Sequence, residues 1–358
     1  MEALTRMEKL KFALVGCGRI SKKHIEAIKE IENAELVAVS DIKKERAKSC
    51  GEKNNIPYYY DYNEMLNNEN IDVVNILTES GSHAKHTIDI VKKYKKHIVV
   101  EKPMALRLQD ADEMIRVCDE NNVRLFVVKQ NRYNLPVQTL RKAVEEGRFG
   151  KLVLGTVRVR WARDQQYYDM DDWRGTWAMD GGVLTNQASH HIDLLEWMMG
   201  EPVEVSAKIA TRLADVEVED TGAVIIRFAS GALGIVEATT ATRPKDLEGS
   251  LSILGENGTV EIGGFAVNEI KTWVFKEEKL EDKEIFDKYK ENPPNVYGFG
   301  HKAYLKNVIE SIKNNKKALV DGLEGRKSLE LINAIYESAE TGKTVKLRFE
   351  PRECKLGI

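Results

Sequence analysis

Between Lys11 and Lys129 the chain alternates short apolar runs with longer amphipathic stretches, and the first apolar run breaks into Gly16-Cys17-Gly18. A short run that is apolar throughout suits a strand covered on both faces, and an amphipathic stretch between two such runs suits a crossover helix. The pattern predicts strands over 12–15, 36–39, 73–77, 98–100 and 125–128, with helices over 21–31, 43–53, 83–94 and 109–120. Strand, Gly-x-Gly turn and helix in that order bring backbone amides up to a pyrophosphate at a helix N-terminus. Asp41 closes the second strand, where a carboxylate accepts hydrogen bonds from a ribose diol and repels a 2′-phosphate. This is the pattern of a Rossmann domain that takes NAD in preference to NADP.

After a further predicted helix over 137–146 the apolar spacing switches to alternate residues, over 152–161, 203–211, 223–228, 234–240, 250–254 and 259–262. Period-2 segments rich in Val, Ile and Thr read as a mainly antiparallel sheet, and Asn257-Gly258 predicts a type I′ turn between the last two. Helices over 302–314 and 328–341 follow. The expected fold class is α/β: an N-terminal Rossmann dinucleotide-binding domain (8–129) plus a C-terminal α+β domain with a large mainly antiparallel sheet (130–358) for substrate binding and oligomerisation. A chain of 358 residues is long enough for two cores, whose cleft would hold the ligands.

Composition removes other classes. With 54 Lys+Arg against 57 Asp+Glu the net charge is -3, without the basic excess that nucleic-acid binding requires. No run of about 18 apolar residues and no apolar leader occurs, so neither membrane insertion nor secretion is expected. The scattered Cys17, Cys50, Cys118 and Cys354 read as reduced thiols of a cytoplasmic protein, and Met7 is an alternative start to Met1.

Further polar groups sit where strands end. Thr78, Ser80 and His83 follow the third long strand, and Glu101-Lys102-Pro103 follows the next; carboxyl ends of parallel strands are where such sheets bind ligands. His83 and His86 have a zinc-like spacing, but no Cys or carboxylate cluster accompanies them, and no metal is expected. Gly181-Gly182 leads into a predicted helix on which His190 and Asp193 share a face.

These motifs, in this order and over essentially the whole chain, resemble the glucose-fructose oxidoreductase and inositol dehydrogenase family. The resemblance implies that Lys102 and His190 are the catalytic pair at the hydroxyl being oxidised. It also implies that Gly16, Gly18, Arg19, Ile20, Asp41, Thr78, Ser80, His83, Glu101 and Lys102 meet the NAD cofactor. The sequence departs from the family twice: Thr78-Glu79-Ser80 replaces a T-P-N loop, and Asn186 replaces the aspartate four residues before the histidine. The blocks around Lys129-Gln130-Asn131-Arg132, Gln165-Gln-Tyr167-Tyr168, Trp173-Arg174 and Asn186-Gln187 are similar to a narrower branch, dehydrogenases of UDP-N-acetyl-2-amino-2-deoxyglucuronate, which oxidise carbon 3 before an aminotransferase acts. That likeness implies a UDP-linked amino sugar held by Lys129, Asn131, Arg132, Arg163, Tyr167, Trp173, Arg174, Trp177, Asn186, Gln187 and His190. It also implies a homodimer or homotetramer. UDP-N-acetylglucosamine, a free sugar or cyclitol such as myo-inositol, and a non-catalytic sensor on the same fold stay open as alternatives.

Overall fold

The computed structural model describes residues 8–289 and 300–347, so the expectations about Met1, Met7 and Cys354 lie outside the described residues. The first half alternates β1 (Leu10–Val15), α1 (Ser21–Lys29), β2 (Ala34–Ser40), α2 (Lys44–Asn54), β3 (Tyr58–Tyr59), α3 (Tyr62–Asn68), β4 (Val73–Ile76), α4 (His83–Tyr94), β5 (His97–Val100), α5 (Leu108–Glu120) and β6 (Leu125–Val127). All six strands are parallel, in the order β3-β2-β1-β4-β5-β6. Every residue of β4 is buried, as a strand covered on both faces requires. α4 buries Ala84, Thr87, Ile90 and Val91, three and four residues apart, and stops where Lys95 turns left-handed at φ 51. The strand order reverses between β1 and β4, which opens a crevice at their carboxyl ends just where Gly16 leaves β1. β3 and α3 escape prediction because one is two residues long and the other is polar, started by Asp61 accepting from the Asn63 amide.

The second half holds α6 (Leu135–Glu145), β7 (Leu152–Arg160), α7 (Gln165–Tyr168), α8 (Ser189–Met199), β8 (Pro202–Ala210), β9 (Thr221–Phe228), β10 (Leu233–Thr239), β11 (Glu248–Gly255), β12 (Gly258–Gly263), β13 (Glu269–Phe275), α9 (Ile285–Lys288), α10 (His301–Asn314), α11 (Gly322–Thr341) and β14 (Val345–Lys346). Its eight strands run β13-β12-β11-β7-β10-β9-β8-β14, antiparallel except for β7 beside β10. α6, α8 and α11 cover one face, where Val157, Val224, Ile226, Val236 and Leu251 meet Ile192, Leu195 and Ile335. The other face leaves Ile225, Leu233 and Ile235 exposed.

Two details differ from expectation. The β11–β12 hairpin forms, but neither Asn257 nor Gly258 has positive φ, so its turn is not type I′. The Glu256 and Asn257 amides instead donate to the carbonyls of Lys151 and Phe149 at 2.9 Å, and a tertiary contact shapes the loop. β13 went unpredicted because its inward positions change parity: Ile270 is buried, then Trp273 and Phe275, across a register shift opposite Glu261 and Ile262.

The chain then crosses back. Tyr304, Leu305, Val308 and Ile309 of α10 pack with Phe12, Leu14, Val99 and Phe126 of the first sheet, while Val320 and Leu329 join the layer on its opposite face. The two sheets thereby share α11, while α10 belongs to the first, and the crevice lies between them.

Candidate active site

A cavity of about 2010 Å³ runs from the carboxyl edge of the first sheet to the start of α8 and the loop after β10. Single-ligand pockets are usually about 300–1,000 Å³, so this one has room for two large molecules. At its first end Gly16 has φ +104, and a Cβ there would sit 2.6 Å from the Leu77 carbonyl oxygen. A Cβ on Gly18 would meet nothing within 4 Å, which shows backbone facing open space at the start of α1. Such a cradle fits a dinucleotide pyrophosphate. Asp41 lines the same end, its two oxygens accepting from the Cys17 and Lys43 amides at 2.8 Å.

The far side reaches over this end. Asp171 accepts from Lys43 Nζ at 2.9 Å and Arg46 Nη2 at 2.7 Å, and the Arg19 guanidinium lies 6.0 Å from the Tyr167 ring centre. Ile20, Thr78, Ser80 and His83 also line the cavity. His83 places its ring nitrogens 2.8 Å from the Pro103 carbonyl and 3.0 Å from that of Thr78, so it ties together the turns after β4 and β5. Burial pushes its imidazole below the usual range.

Glu101 and Lys102 follow β5. Glu101 is buried and meets His24 Nε2 at 2.9 Å, while its other oxygen accepts the Lys102 amide at 3.1 Å. Burial pushes the carboxyl up, but the hydrogen bond to His24 together with the charges of His24, His301 and Lys102 holds it down at about 2. Asn75 contacts the other His24 nitrogen at 2.9 Å, and His301 stacks edge-on at 5.6 Å. His24, Glu101 and His301 place donor atoms within 4.8 Å of one another, a buried trio that the sequence reading missed. Its only local signal was a histidine three residues into α1.

Lys102 lines the cavity and donates from Nζ to the Asn186 carbonyl at 2.7 Å. Burial lowers its pKa, opposed by the nearby carboxylates of Glu101 and Asp180. His190, from the first turn of α8, lines the same space and meets Gln130 at 3.1 Å through Nε2. Burial, then the positive charges of Lys102 and Lys129, push its pKa well below the ordinary histidine value, so the ring is neutral at pH 7. His191 points away, against Trp161. Gln130, which lies in a block quoted from the sequence but was given no role there, is the group that meets His190.

At the second end Arg163 stacks 5.4 Å from both Trp161 and Tyr167 and pairs with Asp246 at 3.0 Å. Arg174 lies 4.4 Å from the Trp173 ring centre and donates to the Tyr167 hydroxyl at 3.0 Å. Gln187 and Asn186 complete this wall, joined by Arg243 and Lys245, which sequence reading did not single out. Four expected substrate ligands do not line the cavity. Lys129 is buried against Ser328 at 2.7 Å and Asp193 at 3.6 Å, and Asn131 is buried beside it. Arg132 is 2% exposed and makes a two-pronged bond to Asp193 at 2.8 Å. Trp177 stacks on Tyr336 at 5.4 Å and is 45% exposed. Paired acidic partners drew the cations inward, and Asp193, three residues after His190, serves them and not the histidine.

Residues 10–129 match the model of the oxidoreductase family's NAD-binding Rossmann fold, and residues 141–347 match that of the oxidoreductase family's C-terminal alpha/beta domain. The chain belongs to the Gfo/Idh/MocA oxidoreductase family. It is an NAD-dependent oxidoreductase. Among solved structures it is similar to the WlbA dehydrogenase of Bordetella pertussis in complex with NADH and UDP-GlcNAcA: 43% identity, TM-score 0.89, covering 96% of this chain and 99% of that one. The WlbA dehydrogenase of Chromobacterium violaceum, with the same two ligands, is 44% identical with TM-score 0.89, over 96% and 97% of the two chains. Myo-inositol 2-dehydrogenase of Thermotoga maritima is 29% identical over 350 residues, 94% of this chain and 98% of its own. Among the described residues no helix is long and apolar enough to cross a membrane.

Proposed function

We propose that the chain oxidises the carbon-3 hydroxyl of UDP-N-acetylglucosaminuronic acid to the ketone. The observation that carries this reading is the convergence of Lys102, from the turn after β5, and His190, from α8, on one cavity about twice the size a single ligand needs. The two WlbA enzymes, at 43% and 44% identity, support the substrate. NAD bound on the Gly16–Gly18 turn supplies the hydride acceptor. His190, neutral and facing the cavity, takes the hydroxyl proton. Lys102 donates a hydrogen bond to the oxygen as charge develops there, a contribution commonly worth about 3 kcal/mol. The aromatic and cationic wall of Tyr167, Trp173, Arg163 and Arg174 receives the nucleotide sugar.

Thr78, Ser80, His83, Arg19 and Ile20 shape the cofactor side. The exposed Ile225, Leu233 and Ile235 of the second sheet support assembly into a homo-oligomer through that face. The free thiols of Cys17, Cys50 and Cys118 suit the cytoplasm, and a 3-keto product suits a following aminotransferase.

The test is to incubate the enzyme with NAD and, in separate reactions, UDP-N-acetylglucosaminuronic acid, UDP-N-acetylglucosamine, free N-acetylglucosamine and myo-inositol. A product two hydrogens lighter, formed from the uronate alone, is expected. Turnover of inositol or free sugar alone would overturn the nucleotide-sugar reading and leave the catalytic pair standing.

A further inference from the structure

Asn186 stands where the resemblance places an aspartate, and the structure shows what lies behind it. One residue faces two ways: its backbone oxygen accepts the Lys102 ammonium at 2.7 Å, and its side-chain amide donates to Asp180. Asp180 is 1% exposed, and its second oxygen accepts the Gly175 amide at 3.0 Å. We infer that Asp180 supplies, from six residues upstream, the negative charge that position 186 lacks, and that it fixes and balances the Lys102 ammonium through Asn186. Asp180 is thus a positioning residue. The inference rests on the proposed role of Lys102.

The charges around the pair leave little else for this task. Facing Lys102 are Glu101, Asp180, Lys129 and Arg174, and its charge in turn acts on His190. Glu101 is already committed to His24 and to the backbone amide of Lys102. Lys129 and Arg174 repel the ammonium. Facing Asp180 are the cations Lys102 and Arg174, the phenol of Tyr168 and the carboxyl of Glu219. A buried carboxylate is destabilising unless cations balance it, and a buried ammonium has the mirror-image requirement. A charged Lys102 donates more strongly to an oxygen on which negative charge develops than the neutral amine does, while burial favours the neutral amine. With the carboxylate at position 180 the negative charge stays beside the pair, while the backbone oxygen of residue 186 aims the ammonium.

The test reads Lys102 directly, with no need for turnover. In the NAD-loaded enzyme the rate of Lys102 acetylation by acetic anhydride is followed by peptide mass spectrometry from pH 6 to 11, giving the midpoint at which the amine loses its proton. The variants are Asp180→Asn, Asn186→Leu, and the exchange Asp180→Asn with Asn186→Asp, each checked for NADH binding and thermal melting. Both single variants are expected to lower the midpoint by about one unit, a tenfold rise in neutral amine at a given pH, and the exchange is expected to restore it. An unchanged midpoint in a folded Asp180→Asn, or no restoration in a folded exchange, overturns the inference. Should Asp180→Asn fail to fold, an unmoved midpoint in Asn186→Leu overturns it as well. Turnover by Lys102→Ala decides separately whether Lys102 is catalytic at all.

Discussion

Two layers of polar side chains lie a few residues apart along the same segments, and they have opposite fates. Gln130, Lys102 and His190 face the cavity with few partners, and His190 Nδ1 has none among the described residues. Lys129, Arg132 and Asp193 lie just behind, buried and bonded to one another or to Glu324 and Ser328. Sequence proximity does not separate the layers. What separates them is where the side chain ends: Lys129 and Arg132 close on Asp193 behind the wall, whereas Lys102 and His190 end on the cavity.

The comparison breaks if the two layers respond alike to substitution. Lys102→Ala and His190→Ala should each lower kcat by about 10²–10⁴-fold, and His190→Ala should leave the melting temperature near that of the parent, because the side chain it removes ends on the cavity. Turnover within a few-fold of the parent, followed by NADH absorbance, would put both residues in the scaffold. Arg132→Ala should do the converse. It leaves Asp193 buried without its main partner, a loss of about 3–5 kcal/mol read from urea unfolding, with turnover per folded molecule changed far less. An equally stable but inactive Arg132→Ala would return that arginine to the substrate wall.

Glu219 sharpens the contrast with a titration. Its carboxyl is buried beneath the Gly181-Gly182 turn, accepts from the Leu184 amide and the Tyr336 hydroxyl, and is raised by burial to about 7. The folded state therefore holds a proton that the unfolded chain releases above the ordinary value of 4.5. This group's effect is absent below 4.5 and destabilises increasingly as pH rises through 7, to a limit on the order of 3 kcal/mol. Glu219→Gln keeps both acceptor bonds and should flatten stability across pH 5–8. A parent and variant whose stabilities fall in parallel over that range would show that the carboxyl is already ionised.

The elements that periodicity controls were legible in the sequence. All five long strands of the first sheet appear where alternation placed them, since a strand covered on both faces has little choice but to be apolar throughout. α11 starts at Gly322, earlier than its apolar spacing suggested, although Asp321-x-x-Glu324 is a capping signal and the Asp321 carboxylate does accept the Glu324 amide at 3.0 Å. The loop at Asn257 was misread because its amides answer to Phe149 and Lys151, a contact with no local trace. At the site, the place of Lys102 and His190 on the cavity was legible because each lies in a motif at the end of an element. Lys129 and Arg132 were misplaced because their direction depends on Asp193, sixty residues further on. Gln130 lay inside a family-like block with no role of its own, Asp180 carried no motif, and the contacts of both became visible only in three dimensions.

The return of α10 to the first sheet bears on how the protein is made. A ribosome completes β6 at Val127 but does not finish α10 until Asn314, and at about 5–20 residues per second the interval is roughly ten to forty seconds. Through that interval the flank of the sheet that later receives Tyr304, Leu305, Val308 and Ile309 stays open to water. The dinucleotide half is made before the helix that covers it and cannot close ahead of that helix, so the nascent chain carries its own sticky surface until α10 has been translated.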